Sequence, residues 1–205
     1  MDTGTVNLHE GDAGKLHTRQ GTARMTDLDY TIAAIRFAKD DHIDGLLEAV
    51  AHAIRSRGLP VVGYLQREEP DGPGCCQATF LEDLSDGERL RITQALGPGS
   101  RGCRLDPRAL ADASARLFAK LDASTQFLIL NRFGKGESDG QGMRDVIAKA
   151  CELGVPVLLA VREAYEPGWH EFVAGSGTLL APDAKAAAKW AFDAIAWRQS
   201  KSNAA

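Results

Sequence analysis

Two short stretches of this chain concentrate the residue types that handle anions. In the first, Arg89, Arg91, Arg101, Arg104 and Arg108 face only Glu88 and Asp106, giving a local charge of +3. Its centre, Leu96-Gly97-Pro98-Gly99-Ser100-Arg101-Gly102-Cys103-Arg104-Leu105-Asp106, joins three glycines to two arginines at a helix start. Glycines allow close backbone approach, and successive N–H groups form an anion-binding nest. Guanidinium groups add planar, permanently charged donors for a tetrahedral oxyanion or a phosphate. The plainer alternative is a solvated basic face paired with surface acids. The second stretch, Asn131-Arg132-Phe133-Gly134-Lys135-Gly136-Glu137, directly follows the apolar run Phe127 to Leu130. It holds two cations, an amide and a carboxylate, with Arg144 on the next helix within reach. The candidate ligand-binding residues are thus Arg91, Arg101, Gly102, Cys103, Arg104, Asn131, Arg132, Gly134, Lys135, Glu137 and Arg144. No catalytic residue and no metal ligand is assigned.

Other chemistries find no support in the spacing. A phosphate loop of the form GxxxxGK[ST] would follow the first strand. In its place stands Arg36-Phe37-Ala38-Lys39-Asp40-Asp41-His42-Ile43-Asp44-Gly45, with no glycine before Gly45 and no Lys-Ser or Lys-Thr pair. Asp40, Asp41 and Asp44 suit a helix start, but they put carboxylates where a phosphate would sit. Cys75 and Cys76 are adjacent and face opposite ways on a strand. His42, His52 and His170 show no HxxxH or HxH pattern, and there is no GxSxG elbow. Trp169 and Trp190 read as core or dimer contacts.

The elements that must position these stretches follow from periodicity. Tyr30 to Phe37 reads as a buried strand. Ile43, Leu46, Leu47, Val50 and Ile54 stripe a helix capped by Asp40 and Asp41, and Leu59 to Leu65 is the next strand, making a βαβ crossover. Phe127 to Leu130, a helix striped by Met143, Val146, Ile147 and Ala150, and Val155 to Val161 repeat that grammar. Both helices end on glycine and lead through proline into the strand, at Gly58-Leu59-Pro60 and Gly154-Val155-Pro156. Cys76 to Asp83 and Arg89 to Gln94 flank an Asp-Gly turn and read as an inserted β-hairpin. Asp106-Pro107 opens a further helix. A short strand near Thr178 to Leu180 precedes an Ala-rich final helix beginning at Pro182.

The expected fold class is α/β, a mostly parallel, doubly wound sheet flanked by helices. Residues 1–28 are expected as a disordered tail, 29–199 as one domain and 200–205 as a frayed end; residues 1–24 read as an optional extension. In such sheets ligands bind at the carboxyl ends of the strands, which singles out the loops after Phe37, Leu130 and Val161.

The averages narrow the partners. The chain has 205 residues and a formal net charge of -4, with 44% hydrophobic and 25% charged residues. That balance gives no reason to expect nucleic acid or an anionic membrane as partner. No apolar run is long enough to span a bilayer, and the first residues carry no secretion signal. The four cysteines read as reduced thiols of a cytoplasmic protein. Glycine, at 21 residues, is enriched.

From about Thr31 to Pro182 the chain resembles a bacterial family of unknown function whose members carry labels such as molybdenum ABC transporter ATP-binding-like protein or nucleoside triphosphatase. Arg101-Gly102-Cys103-Arg104-Leu105-Asp106-Pro107 and Leu130-Asn131-Arg132-Phe133-Gly134-Lys135 carry the resemblance, supported by Val155-Pro156-Val157-Leu158. More remotely, the order of elements is similar to that of the small phosphate-loop nucleoside triphosphatases. There the strand matching Phe127 to Leu130 ends in an acidic, magnesium-binding pair; here Asn131 and Arg132 replace it and the phosphate loop is degenerate. The resemblance implies the fold and the site's location while removing catalytic parts. The leading expectation is a small-anion-binding accessory protein for a nucleotide such as ATP, or for molybdate or tungstate, with no structural metal. The alternatives are an unconventional nucleoside triphosphatase in which Lys39 or Lys135 replaces the missing lysine and Glu137 positions water, or a ligand-free scaffold that self-associates as a homodimer.

Overall fold

The computed structural model describes residues 1, 31–39, 41–71, 77–94 and 104–203. The strands are β1 (Ile32–Phe37), β2 (Val61–Pro70), β3 (Gln77–Asp83), β4 (Arg89–Arg91), β5 (Thr93–Gln94), β6 (Arg104–Leu105), β7 (Phe127–Ile129), β8 (Val157–Arg162) and β9 (Thr178–Leu180). The helices are α1 (Ile43–Arg55), α2 (Pro107–Lys120), α3 (Lys135–Ser138), α4 (Arg144–Glu152), α5 (Glu166–Phe172) and α6 (Ala184–Ser202). Seven strands form one sheet in the order β4-β3-β2-β7-β8-β1-β9. All pairings from β2 across to β9 are parallel, and β3 and β4 add an antiparallel edge.

The sheet is parallel because its central strands are short apolar runs buried on both faces, each reached through a helix. One core joins α2, α4 and α5 to the sheet through Leu117, Val146 and Trp169. The other joins α1 and α6 through Leu47, Ile54 and Ala191. The doubly wound α/β expectation and the β3–β4 hairpin are both met. Trp169 and Trp190 lie in the two cores, Trp190 edge-on to Phe127 at 6.1 Å.

Several details differ from the sequence reading. β1 and β2 flank the first helix but are not neighbours, since β7 and β8 lie between them. β2 continues past Leu65 to Pro70. At Gly63 it leaves β7 and begins to pair with β3; a Cβ there would fall 1.8 Å from Ile129 O, so only glycine allows the strands this close. The added length is polar, and it is held by Arg67, which reaches both Glu48 of α1 and Glu82 of β3. Thr93 and Gln94 leave the hairpin and pair with Leu105 and Arg104 in a separate ribbon. At the start of α1 the N-cap residue is His42 without a side-chain cap bond, and Asp41 Oδ2 instead accepts from Ala38 N at 2.7 Å. Asp40 lies outside the described residues. Asp106 does cap α2, accepting from Arg108 N and Ala109 N ahead of Pro107. α6 is capped by Asp183 and runs on to Ser202, past the expected fraying point. No helix among the described residues is long and apolar enough to cross a membrane.

Candidate functional site

The strand β7 delivers Leu130, Asn131 and Arg132 to the carboxyl edge of the sheet, where the topology predicts a ligand site. Asn131 is buried and forms a reciprocal pair with Gln66 of β2: its Oδ1 accepts from Gln66 N at 3.2 Å and its Nδ2 donates to Gln66 Oε1 at 3.2 Å. The Arg132 guanidinium donates to the same Gln66 Oε1 and, through Nη2, to Asp44 Oδ2 of α1 at 3.0 Å. It also sits 5.7 Å from the centre of the Phe37 ring. Residues from β1, α1, β2 and β7 are thus closed onto one another at this corner. Gln66 is the member that sequence reasoning missed, because it lies just beyond the expected end of its strand.

In the small phosphate-loop nucleoside triphosphatases that the chain resembles, an acidic pair at this strand end binds magnesium, and Asp44 offers one argument for such an ion here: its Oδ1 is buried with no hydrogen-bond partner among the described residues. The rest of the corner argues against it. The other oxygen of that carboxylate faces a guanidinium, and the two amides are bonded to each other. Magnesium demands a near-octahedral set of oxygens. Among the described residues no group of three or more His, Cys, Asp or Glu is placed to hold a metal. These residues do not fit a divalent cation.

The following loop is built around Glu137. Its carboxylate is buried and accepts from Gly134 N at 2.9 Å and from Met143 N at 3.0 Å. Gly142 makes room for it: φ is +68°, and a Cβ there would fall 2.3 Å from Glu137 Oε1. Arg144 Nη1 donates to Glu137 O at 3.1 Å, and its guanidinium lies 4.7 Å from the centre of the Phe172 ring. Glu137 therefore ties the loop to itself through both carboxylate oxygens. Lys135 is exposed and pairs with Asp139 one helical turn on.

The basic window divides. Arg89 pairs with Glu69 and Glu82, and Arg91 with Asp71 and the Thr93 carbonyl, so the strand arginines help hold the antiparallel edge together. Arg101, Gly102 and Cys103 lie outside the described residues, as do Cys75 and Cys76. Arg104 is placed through its backbone pairing with Gln94. Cys151 is half-buried, and burial pushes its thiol up to about 11, away from reactivity.

The two sequence stretches do approach each other, on the α2 face. A cleft of about 660 Å³ opens between α2 and the segment from Gly136 to Asp145. Pro107, at the end of the first stretch, and Gly136 and Arg144, from the second, all line it. A smaller cleft of about 380 Å³ lies beside Phe37 and Ala38, bordered by Arg36, Glu163 and Pro182. Arg36 there is paired with Glu163 and Glu166.

Comparison with known proteins places this arrangement. Residues 32–190 match the family described as a protein of unknown function, DUF2478. Over 171 residues the chain is 34% identical to the molybdenum import ATP-binding protein ModC 2 of Bradyrhizobium diazoefficiens; the match takes in 83% of this chain but spans only 18% of that relative's length. Among solved structures, a human cancer-related nucleoside triphosphatase, determined in solution, aligns at TM-score 0.57 and 16% identity over 83% of this chain and 98% of its own. THEP1 from the hyperthermophile Aquifex aeolicus aligns at TM-score 0.46 and 7% identity over 73% of this chain and 88% of its own. The chain has the fold of a small nucleoside triphosphatase.

Proposed function

The chain belongs to that family of unknown function, and from the site above we propose that it is a small-anion-binding accessory module on a nucleoside triphosphatase scaffold, serving molybdenum handling without hydrolysing its ligand. The observation that carries this reading is the Arg132–Asp44 ion pair. Phosphoryl transfer on such scaffolds works by positioning and by metal-assisted charge neutralisation. A guanidinium now occupies the acidic strand end, and the lysine-bearing phosphate loop is absent from the sequence. What remains suits holding an anion: Arg144 at the cleft, with Arg101 and Arg104 in the segment that leads into α2. The molybdenum assignment is supported by the identity with part of a molybdenum import ATP-binding protein. Within this proposal the module works in the cytoplasm, the compartment that supplies ATP, and self-association as a homodimer is read by light scattering.

Calorimetric titration with molybdate, tungstate, sulfate, and ATP with and without magnesium tests the reading. Saturable binding of at least one anion, weakened in Arg104→Ala, is the expected result. Phosphate release from magnesium ATP that is lost in Glu137→Gln would instead establish the hydrolase. Silence toward every anion would sink the binding proposal.

A further inference from the structure

Helix α2 carries more apolar surface than its packing on the sheet uses. Ala113 and Leu117 face inward and are fully buried. Ala111, Ala115 and Phe118, spaced at i, i+4 and i+7, form a second stripe that borders the cleft, with Phe118 42% exposed. The opposite wall is formed by Gly136, Gly140, Gln141 and Gly142; a Cβ at Gly140 would meet nothing within 4 Å, whereas one at Gly142 would meet Glu137. A cleft of about 660 Å³ with an apolar wall lies within the usual range for small organic ligands. It is far larger than a tetrahedral oxyanion, which would leave that wall wet.

Two charged groups stand side by side in the first turn of α4. Arg144 is held in place by the Glu137 carbonyl and the Phe172 ring, and the rest of its guanidinium fork makes no further bond among the described residues. Asp145 is exposed, lines the same cleft and has no partner among the described residues. A fitting occupant has a flat apolar ring for the α2 stripe, one anionic group for Arg144, and an N–H, amino or hydroxyl donor for Asp145. Additional negative charge would meet the Asp145 carboxylate.

We infer that this cleft binds a nucleoside monophosphate, with the base against Ala111, Ala115 and Phe118, the phosphate at Arg144 and an N–H or amino donor of the base at Asp145. The inference rests on the anion-binding proposal and names the ligand class for it. The cleft lies on the α2 face, and none of its lining residues comes from the β1–α1 loop.

The test titrates the full chain with AMP, GMP, adenosine, ribose 5-phosphate and molybdate, and repeats the series on Ala115→Trp and Asp145→Asn. Ala115 is exposed, so the tryptophan fills the cleft without entering the core, and an unchanged melting curve confirms the fold. Expected are saturable binding of AMP or GMP, a loss of at least about tenfold on removing either the base or the phosphate, and a comparable loss in Ala115→Trp. Asp145→Asn shifts the preference between AMP and GMP, a readout that mere crowding would not move. Nucleotide affinity unchanged in Ala115→Trp would overturn the cleft assignment. Molybdate binding that survives that substitution while no nucleotide binds leaves the anion proposal standing and refutes this one. Nucleotide binding lost in Ala115→Trp, with no response to molybdate, supports the cleft and removes the oxyanion. Silence toward all five probes overturns this inference.

Discussion

The corner at the end of β7 and the cleft beside α2 use similar residues to opposite ends. At the corner, Asn131, Arg132, Gln66 and Asp44 bond to one another across the sheet edge, and Asp44 Oδ1 alone of these groups is buried without a partner among the described residues. At the cleft, alanines and glycines line an open volume with one arginine and one aspartate at its edge. Both regions descend from stretches rich in cations. An arginine marks a binding site only where its surroundings leave it both space and unused donors; elsewhere the same side chain joins elements of the fold.

The contrast can be broken from either side. The largest effect is expected at Glu137, the keystone between the two regions. Glu137→Ala leaves Gly134 N and Met143 N without their buried acceptor and should cost about 3 kcal/mol in urea denaturation, with Glu137→Gln recovering part of it. Gly142→Ala should lose about 2 kcal/mol by forcing a side chain into the left-handed region against the same carboxylate. Arg132→Ala opens the corner and should cost about 1–2 kcal/mol, a figure kept modest because both partners are about one-third exposed. If Arg132→Ala is neutral, the corner is not the tie described here.

Tyr64 anchors the wall of the cleft, donating from its hydroxyl to Ala113 O of α2 at 3.1 Å. Burial, with the Asp83 charge next in importance, pushes its pKa up to about 12. A raised folded-state value means that the folded protein holds this proton more tightly than the unfolded chain. The contribution is complete below the ordinary tyrosine value of about 10 and is lost as pH rises through about 12. Tyr64→Phe should flatten that alkaline limb in pH-dependent thermal melts. The smallest effect belongs to the exposed edge: Arg91→Ala should change stability by less than about 1 kcal/mol, and less still in high salt.

The architecture was legible wherever burial leaves a hydrophobic period. β1, α1, β7, α4 and β8 all show one, and the two Gly-x-Pro junctions mark their turns. The outer half of β2 was not, because Gln66-Arg67-Glu68-Glu69 is held by ion pairs and by backbone pairing with β3, which an apolar pattern does not record. α3 and α5 are too short for a period, at four and seven residues. The loops of interest were legible from topology, since Asn131 follows a buried strand. Their partners were not: Arg132 meets Asp44 across 88 positions and Asn131 meets Gln66 across 65. Such pairings exist only in the folded chain, and they join Asn131 and Arg132 to neighbouring elements of the sheet.

Whether this scaffold binds an anion without metal-dependent turnover is read most directly by calorimetric injection of ATP into the chain, in magnesium and again in EDTA. The predicted result is no sustained power after injection in either buffer. Sustained heat production in magnesium that EDTA abolishes would contradict it.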